Sequence, residues 1–300
     1  MKKFLAFAIA LSFALGASAQ KTLSYEGADE TIRLWDNTTA KHSNHETRDE
    51  KWRRNNTSIC QTSSCELYIF KAAEGKNTGV AIAMFPGGSY TNENLQISEA
   101  KWYASQGITA ALVKYRLPNY GHKEVPLEDA QAALAYLRKN AKKLGFDPAK
   151  VGIAGSSAGG HLAAYTSTFT PDAEKPAFAV LFYPVISAVD CMTHQGTFDQ
   201  LLGKQQPAYL RDYYSLENRV TPTTPPTILI LSTNDRTVPP VSSIRYYKAL
   251  RYYGVDAAMH IYPEGGHGWV GREGFRYEKD WQHQLNRWMQ FLNKDKNDKK

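Results

Sequence analysis

Cysteine is scarce in this chain. Its 300 residues include three, Cys60, Cys65 and Cys191. They form no Cys-x-x-Cys pair and no His/Cys cluster with zinc-site spacing, which argues against a structural zinc module. His42 and His45 share the polar stretch HSNH, which reads as a surface loop rather than a metal site. No metal and no cofactor is expected. Cys60 and Cys65 are near enough in sequence to close a small loop, and the spacing leaves open whether they do. Cys191 would then be unpaired. Long apolar runs are also missing. The longest, residues 4–15, falls short of the roughly 20 residues that a membrane span needs. Charge of one sign is not concentrated. The formal net charge is +7, part of it in the tail KDKNDKK. No basic stripe interleaved with aromatics marks a nucleic-acid surface. There are no internal repeats.

What is present begins with a targeting pattern. Lys2 and Lys3 precede the short apolar run, and Ala17-Ser18-Ala19 supplies the small residues of a cleavage site. Residues 1–19 therefore read as a secretory signal peptide cut after Ala19. The mature chain, residues 20–300, is expected to be exported to the periplasm or the medium and to be free of the membrane.

Residues 20 to about 63 are polar and irregular, and are expected to wrap over the domain. A regular alternation follows. CELYIF, GVAIAMF, ITAALVKY, KVGIAG, AFAVLFYP, TILILST and AAMHIYP read as buried strands. Between them lie helical patterns such as PLEDAQAALAYLRKNAKKLG, with Pro126 near its start and Gly145 at its end. Strands alternating with helices predict an α/β fold, a mostly parallel sheet of about eight strands covered on both faces. The rhythm breaks over residues 188–225, which predicts an insertion in a single domain.

The stretch VGIAGSSAGGHLAAY contains Gly155-Ser156-Ser157-Ala158-Gly159, a G-x-S-x-G pattern centred on Ser157. A strand precedes it and a helix follows, the setting in which the central serine is held outward on a strained turn. A hydroxyl becomes a nucleophile only when a base takes its proton. In this arrangement the acid and then the base follow in chain order, at the ends of later strands. Asp235 in TILILSTNDRTVPP and His267 in AAMHIYPEGGHGW occupy those positions. His161, one turn beyond Ser157, is expected to pack beneath the elbow and take no part. Acyl transfer also needs donors for the developing oxyanion. The turn FPGGSY after an early strand offers the N–H groups of Gly88 and Ser89, to be joined by that of Ala158. Tyr90 and Trp269 flank these motifs and are candidates to line a substrate pocket.

The pieces FPGGSY, KYRLP, PLEDAQAAL, LGFDPAKVGIAGSSAGGHLA, NDRTVPP and GGHGW, in this order, resemble the α/β-hydrolase superfamily. More narrowly, the chain is similar to bacterial acetylxylan and feruloyl esterases related to hormone-sensitive lipase. The resemblance assigns the triad to Ser157, Asp235 and His267, and makes Arg116 and Asp129 structural residues. One departure concerns the oxyanion loop. Lipase-like members begin it with histidine and three glycines, whereas this chain has Pro86 and a serine in the third place.

The implied activity is that of an exported serine esterase acting on acylated carbohydrate, acetyl esters of xylan-type chains foremost. A general short-chain carboxylesterase or a serine peptidase on the same fold are the rival readings. Peptidase relatives usually carry a large domain ahead of the hydrolase unit, and only about 60 residues precede the first expected strand here. A binding protein on this scaffold would be expected to lack a triad member, and none is missing.

Overall fold

The computed structural model describes residues 27–54, 56–189 and 191–294. The expected signal peptide, residues 1–19, lies outside them. Chain order runs β1 (Glu30–Asp36), β2 (Lys51–Arg53), β3 (Ser58–Cys60), β4 (Ser64–Phe70), β5 (Val80–Phe85), β6 (Glu93–Asn94), α1 (Ile97–Ser105) and β7 (Ile108–Lys114). There follow α2 (Glu124–Leu144), β8 (Val151–Ser156), α3 (Ala158–Phe169), β9 (Ala179–Phe182), α4 (Gln195–Leu202) and α5 (Ala208–Tyr213). The chain closes with β10 (Thr227–Ser232), α6 (Pro240–Tyr252), β11 (Ala257–Tyr262) and α7 (Glu278–Lys294).

The main sheet has eight strands in the order β1-β4-β7-β5-β8-β9-β10-β11. The pairs β1/β4 and β4/β7 are antiparallel, and every pair from β7 to β11 is parallel. The inner parallel strands are buried along their whole length, as their mostly apolar sequences predict. Trp102 of α1 meets Trp281 of α7 on one face of the sheet, while α2 packs on α3.

The strand order does chemical work. From β5 the chain crosses to β7 on one side, then returns to place β8 on the other side of β5. The carboxyl ends of β5 and β8 are thus neighbours at a switch of direction, where open α/β sheets form their crevices. The FPGGSY turn leaves β5, and the Ser157 turn leaves β8.

The first part of the chain is more regular than its composition predicts. It supplies the edge strand β1, half-exposed and paired with β4, and a small second sheet β2-β3-β6. Arg116, fully buried, holds this segment down. Its guanidinium donates to Asp129 (2.7 Å) and to the His42 carbonyl (2.6 Å), while the Trp35 indole donates to Asp129 (2.6 Å). Cys60 and Cys65 do not form the small-loop disulfide. Cys60 ends β3 in the small sheet, Cys65 sits in β4 of the main sheet, and both are buried free thiols. Burial pushes the Cys65 thiol well up, which removes the thiolate that exchange would need. The described part of the segment 188–225, where the sequence predicted an insertion, contains α4, α5 and a 3-10 turn at Leu216–Arg219.

Candidate active site

Ser157 caps α3 with φ 55° and ψ −121°, a conformation that costs energy and turns the side chain away from the helix. Three backbone hydrogen bonds hold it there. Its N–H donates to Phe182 (3.0 Å), and its carbonyl accepts from His161 (3.0 Å) and Val185 (3.1 Å). Two glycines let strand and helix close on the turn. A Cβ on Gly155 would overlap the Gly159 carbonyl, and one on Gly159 would overlap the Phe85 carbonyl of β5.

His267 and Asp235 reach Ser157 from the loops after β11 and β10. His267 Nε2 accepts from Ser157 Oγ at 2.8 Å, and His267 Nδ1 donates to Asp235 Oδ2 at 2.7 Å. The other carboxylate oxygen of Asp235 accepts from the N–H groups of Thr237 and Val238, both at 2.9 Å. Buried and held by three donors, that carboxylate fixes which imidazole nitrogen carries the proton. The His267 loop is held by Gly266 N–H on Asn234 (2.8 Å). Tyr183 packs edge-on against the imidazole with ring centroids 4.7 Å apart, and its hydroxyl accepts from Val270 N–H at 3.1 Å.

Ser157 and His267 open on a cavity of about 610 Å³. Gly87, Gly88 and Ser89 line it, and a Cβ on Gly87 would stand 2.9 Å from that of Ser157. Among the described residues the N–H groups of Gly88, Ser89 and Ala158 find no acceptor in the protein. They are free to serve an oxygen that develops charge beside Ser157.

Two expectations need correction. Tyr90 does not line the cavity. It is fully buried, and its hydroxyl hydrogen-bonds His161 Nδ1 at 3.0 Å. Its apolar ring is drawn inward against Tyr115 and His161, away from the turn that carries it. Trp269 is 2% exposed, stacks on Phe275 and donates to Ser232 Oγ at 2.9 Å, so it belongs to the core beneath the His267 loop. His161 is buried as expected, and burial drives its imidazole down to about 3, which keeps it neutral.

Other residues of the site gave little signal in the sequence. Gln96 and Ser98 at the start of α1, Tyr183, Thr237, Arg54 and Arg272 all line the cavity. Thr237, inside NDRTVPP, and Arg272, close after GGHGW, lay near a motif.

Residues 97–296 match the family described as the prolyl oligopeptidase family. An acetylxylan esterase of Xylanibacter ruminicola is 37% identical over 230 residues, 74% of this chain and 47% of that protein. An endo-1,4-beta-xylanase B of Butyrivibrio fibrisolvens is 30% identical over 203 residues, 62% of this chain and 32% of that protein. The chain thus spans less than half the length of these curated relatives. Among solved structures, an acetyl ester-xyloside bifunctional hydrolase from Caldicellulosiruptor lactoaceticus superposes with a TM-score of 0.73 at 31% identity. That match covers 89% of this chain and 97% of the other.

Proposed function

The chain belongs to the prolyl oligopeptidase family and has the α/β-hydrolase fold, and from that premise we propose that it is an exported serine esterase removing acetyl groups from xylan-type polysaccharides or their oligosaccharides. The observation that carries the chemistry is the hydrogen-bonded series Ser157–His267–Asp235, at 2.8 and 2.7 Å, opening on a cavity. The relatives support the substrate, since one is an acetylxylan esterase and another an acetyl ester-xyloside hydrolase. The pattern of residues 1–19 supports export.

Ser157 Oγ attacks the ester carbonyl carbon while His267 Nε2 takes its proton. The carbonyl oxygen becomes an oxyanion facing the N–H groups of Gly88, Ser89 and Ala158. Collapse breaks the bond to the sugar oxygen, which leaves with the proton from His267. The acetyl group is then on Ser157. Water, losing a proton to His267, attacks that acyl-enzyme and releases acetate, and the proton returns to Ser157. Asp235 keeps the imidazole oriented and stabilises its charged form throughout.

The family description favours a second reading, a serine peptidase. The cavity speaks against one that captures a peptide amino terminus, because among the described residues no aspartate or glutamate lines it to receive an ammonium group. The deciding experiment measures acetate release from acetylated xylan, ferulate release from methyl ferulate and cleavage of aminoacyl-nitroanilides, with the wild type and Ser157→Ala. Acetate release lost in the variant is expected. Peptide turnover without ester turnover would overturn the esterase reading.

A further inference from the structure

The cavity beside Ser157 carries a charge imbalance that hydrolysis of a neutral acetyl ester does not need. Arg54 and Arg272 both line it, both are exposed, and among the described residues no aspartate or glutamate lines it with them. They come from separate parts of the chain. Arg54 stands in the turn between β2 and β3 of the small sheet, where its Nη1 reaches Asn94 Oδ1 at 3.5 Å. Asn94 in turn donates its N–H to the Gly87 carbonyl at 2.8 Å, so Arg54 is tied to the loop after β5. Arg272 follows the His267 loop and folds back on it, with Nη2 3.6 Å from where a Cβ of Gly268 would be.

Some cations elsewhere on this surface are matched. Arg33, Arg48, Lys71, Lys143 and Arg276 each pair with a carboxylate. Among the described residues Arg54 and Arg272 have no acidic partner. The start of α1 adds to the same wall through Gln96, Ile97 and Ser98, with the positive end of its dipole. Neutral polar groups of Thr57, Asn94 and Thr237 also line it. Two guanidinium groups with nothing to neutralise them suit a carboxylate, which each can meet with parallel N–H donors.

We propose that the site selects substrates bearing a carboxylate close to the scissile ester, held by Arg54 and Arg272. On the esterase reading, on which this inference rests, the carboxylate has two sources. It belongs to the glycan, as a uronic acid substituent beside the acetylated sugar, or to the acyl group, as in a dicarboxylic half-ester. The net positive charge of the chain draws an acidic polymer toward either arrangement.

The test compares kcat/KM on three oligosaccharide substrates: acetylated neutral xylo-oligosaccharides, acetylated xylo-oligosaccharides carrying a uronic acid, and succinylated neutral xylo-oligosaccharides. Wild type, Arg54→Gln, Arg272→Gln, the double variant and the matching lysine variants are each measured at low and high salt. An acidic-to-neutral ratio above one is expected in the wild type. That ratio should fall about fivefold for each charge removed, the weight of an exposed ion pair, and fall with salt. The lysine variants should keep most of it. Because the readout is a ratio within one protein preparation, loss of folded material does not mimic the effect. Preference for the uronic acid substrate assigns the carboxylate to the glycan, and preference for the succinyl ester assigns it to the acyl group. Turnover of the neutral ester with no acidic preference, or a preference that survives in the double glutamine variant, overturns the inference and leaves the esterase reading intact. Turnover of none of the three overturns both.

Discussion

Gln96 Nε2 donates to Ser156 Oγ at 2.7 Å, while the hydroxyl of the next residue, Ser157, meets His267 at 2.8 Å. Two adjacent serines are thereby sorted by their partners. Ser156 is 2% exposed, ends β8 and is satisfied by an amide that cannot act as a base. Replacing Ser157 with alanine should lower kcat for acetyl ester hydrolysis by about 10⁴-fold or more. Ser156→Ala should cost about tenfold or less, through a looser start of α1. Steady-state kinetics on an acetyl ester checks both.

Asp235 offers a separate test of the hydrogen-bonded series. Asp235→Asn keeps the shape but presents an amide N–H or carbonyl to His267 Nδ1 in place of a carboxylate, favouring the wrong tautomer. A loss of about 10⁴-fold in kcat with little change in melting temperature is expected. A variant within tenfold of wild type would remove Asp235 from the chemistry.

His161 and His267 should respond oppositely to glutamine. On the proposed mechanism His267→Gln removes the base and should lose activity about as Ser157→Ala does. His161→Gln should keep most of the activity and lose stability instead, because it breaks the bond to Tyr90 and disturbs the packing against Phe198 and Tyr165. Its titration adds a pH signature. The imidazole is held at about 3 in the fold, below its ordinary 6.5. From pH 6.5 down toward 3 the unfolded chain takes up a proton that the folded chain refuses, so stability falls. Urea unfolding from pH 7 to 4 should show a shallower loss for His161→Gln than for the wild type.

Glu99 sets the opposite flank. It lies buried in the first turn of α1, and burial raises its carboxyl from 4.5 to about 8. Between those values the unfolded chain releases a proton that the fold retains, so this group lowers stability as pH rises from 4.5 to 8. Glu99→Gln should equal the wild type near pH 4 and exceed it near pH 8. The gain is bounded at about 1.4 kcal/mol for each pH unit of that window. Equal slopes in the two proteins would mean that Glu99 is ionised in the fold.

Gly159→Ala tests the elbow itself. Its methyl group would overlap the Phe85 carbonyl, and the atoms it meets are backbone of Phe85 and Pro86, with nothing flexible to yield. A destabilisation of about 3 kcal/mol or more is expected. Thermal unfolding of purified protein, or its absence from the soluble fraction, reports the outcome.

What was legible in the sequence follows burial. Strands such as ITAALVK and TILILS are buried from end to end and mostly apolar because the parallel sheet is covered on both faces. The edge strand β1, ETIRLWD, is half-exposed throughout and reads as polar chain. The short strands of the second sheet are too brief to show a period. The same logic divides the site. Ser157, Asp235 and His267 stand at fixed points of a topology that composition reveals. Gln96, Tyr183, Arg54 and Arg272 come to the cavity only through the path of the chain in three dimensions. Tyr90 and Trp269 lie next to site motifs in sequence yet point into the core, since adjacency along a turn does not fix the direction of a side chain.

The close approach of β5, β8 and α3 has a consequence for how this protein could diversify. Gly87, Gly155 and Gly159 have backbone where any side chain would go, so heritable change at the nucleophile's own turn meets a steric barrier whatever its chemical merit. The facing wall is built from exposed tips such as Arg54 and Arg272, held by few neighbours. A mutational library spread evenly over the cavity would therefore return survivors mainly from that outer wall. New substrate preferences would be found there while the bond-breaking machinery stayed as it is.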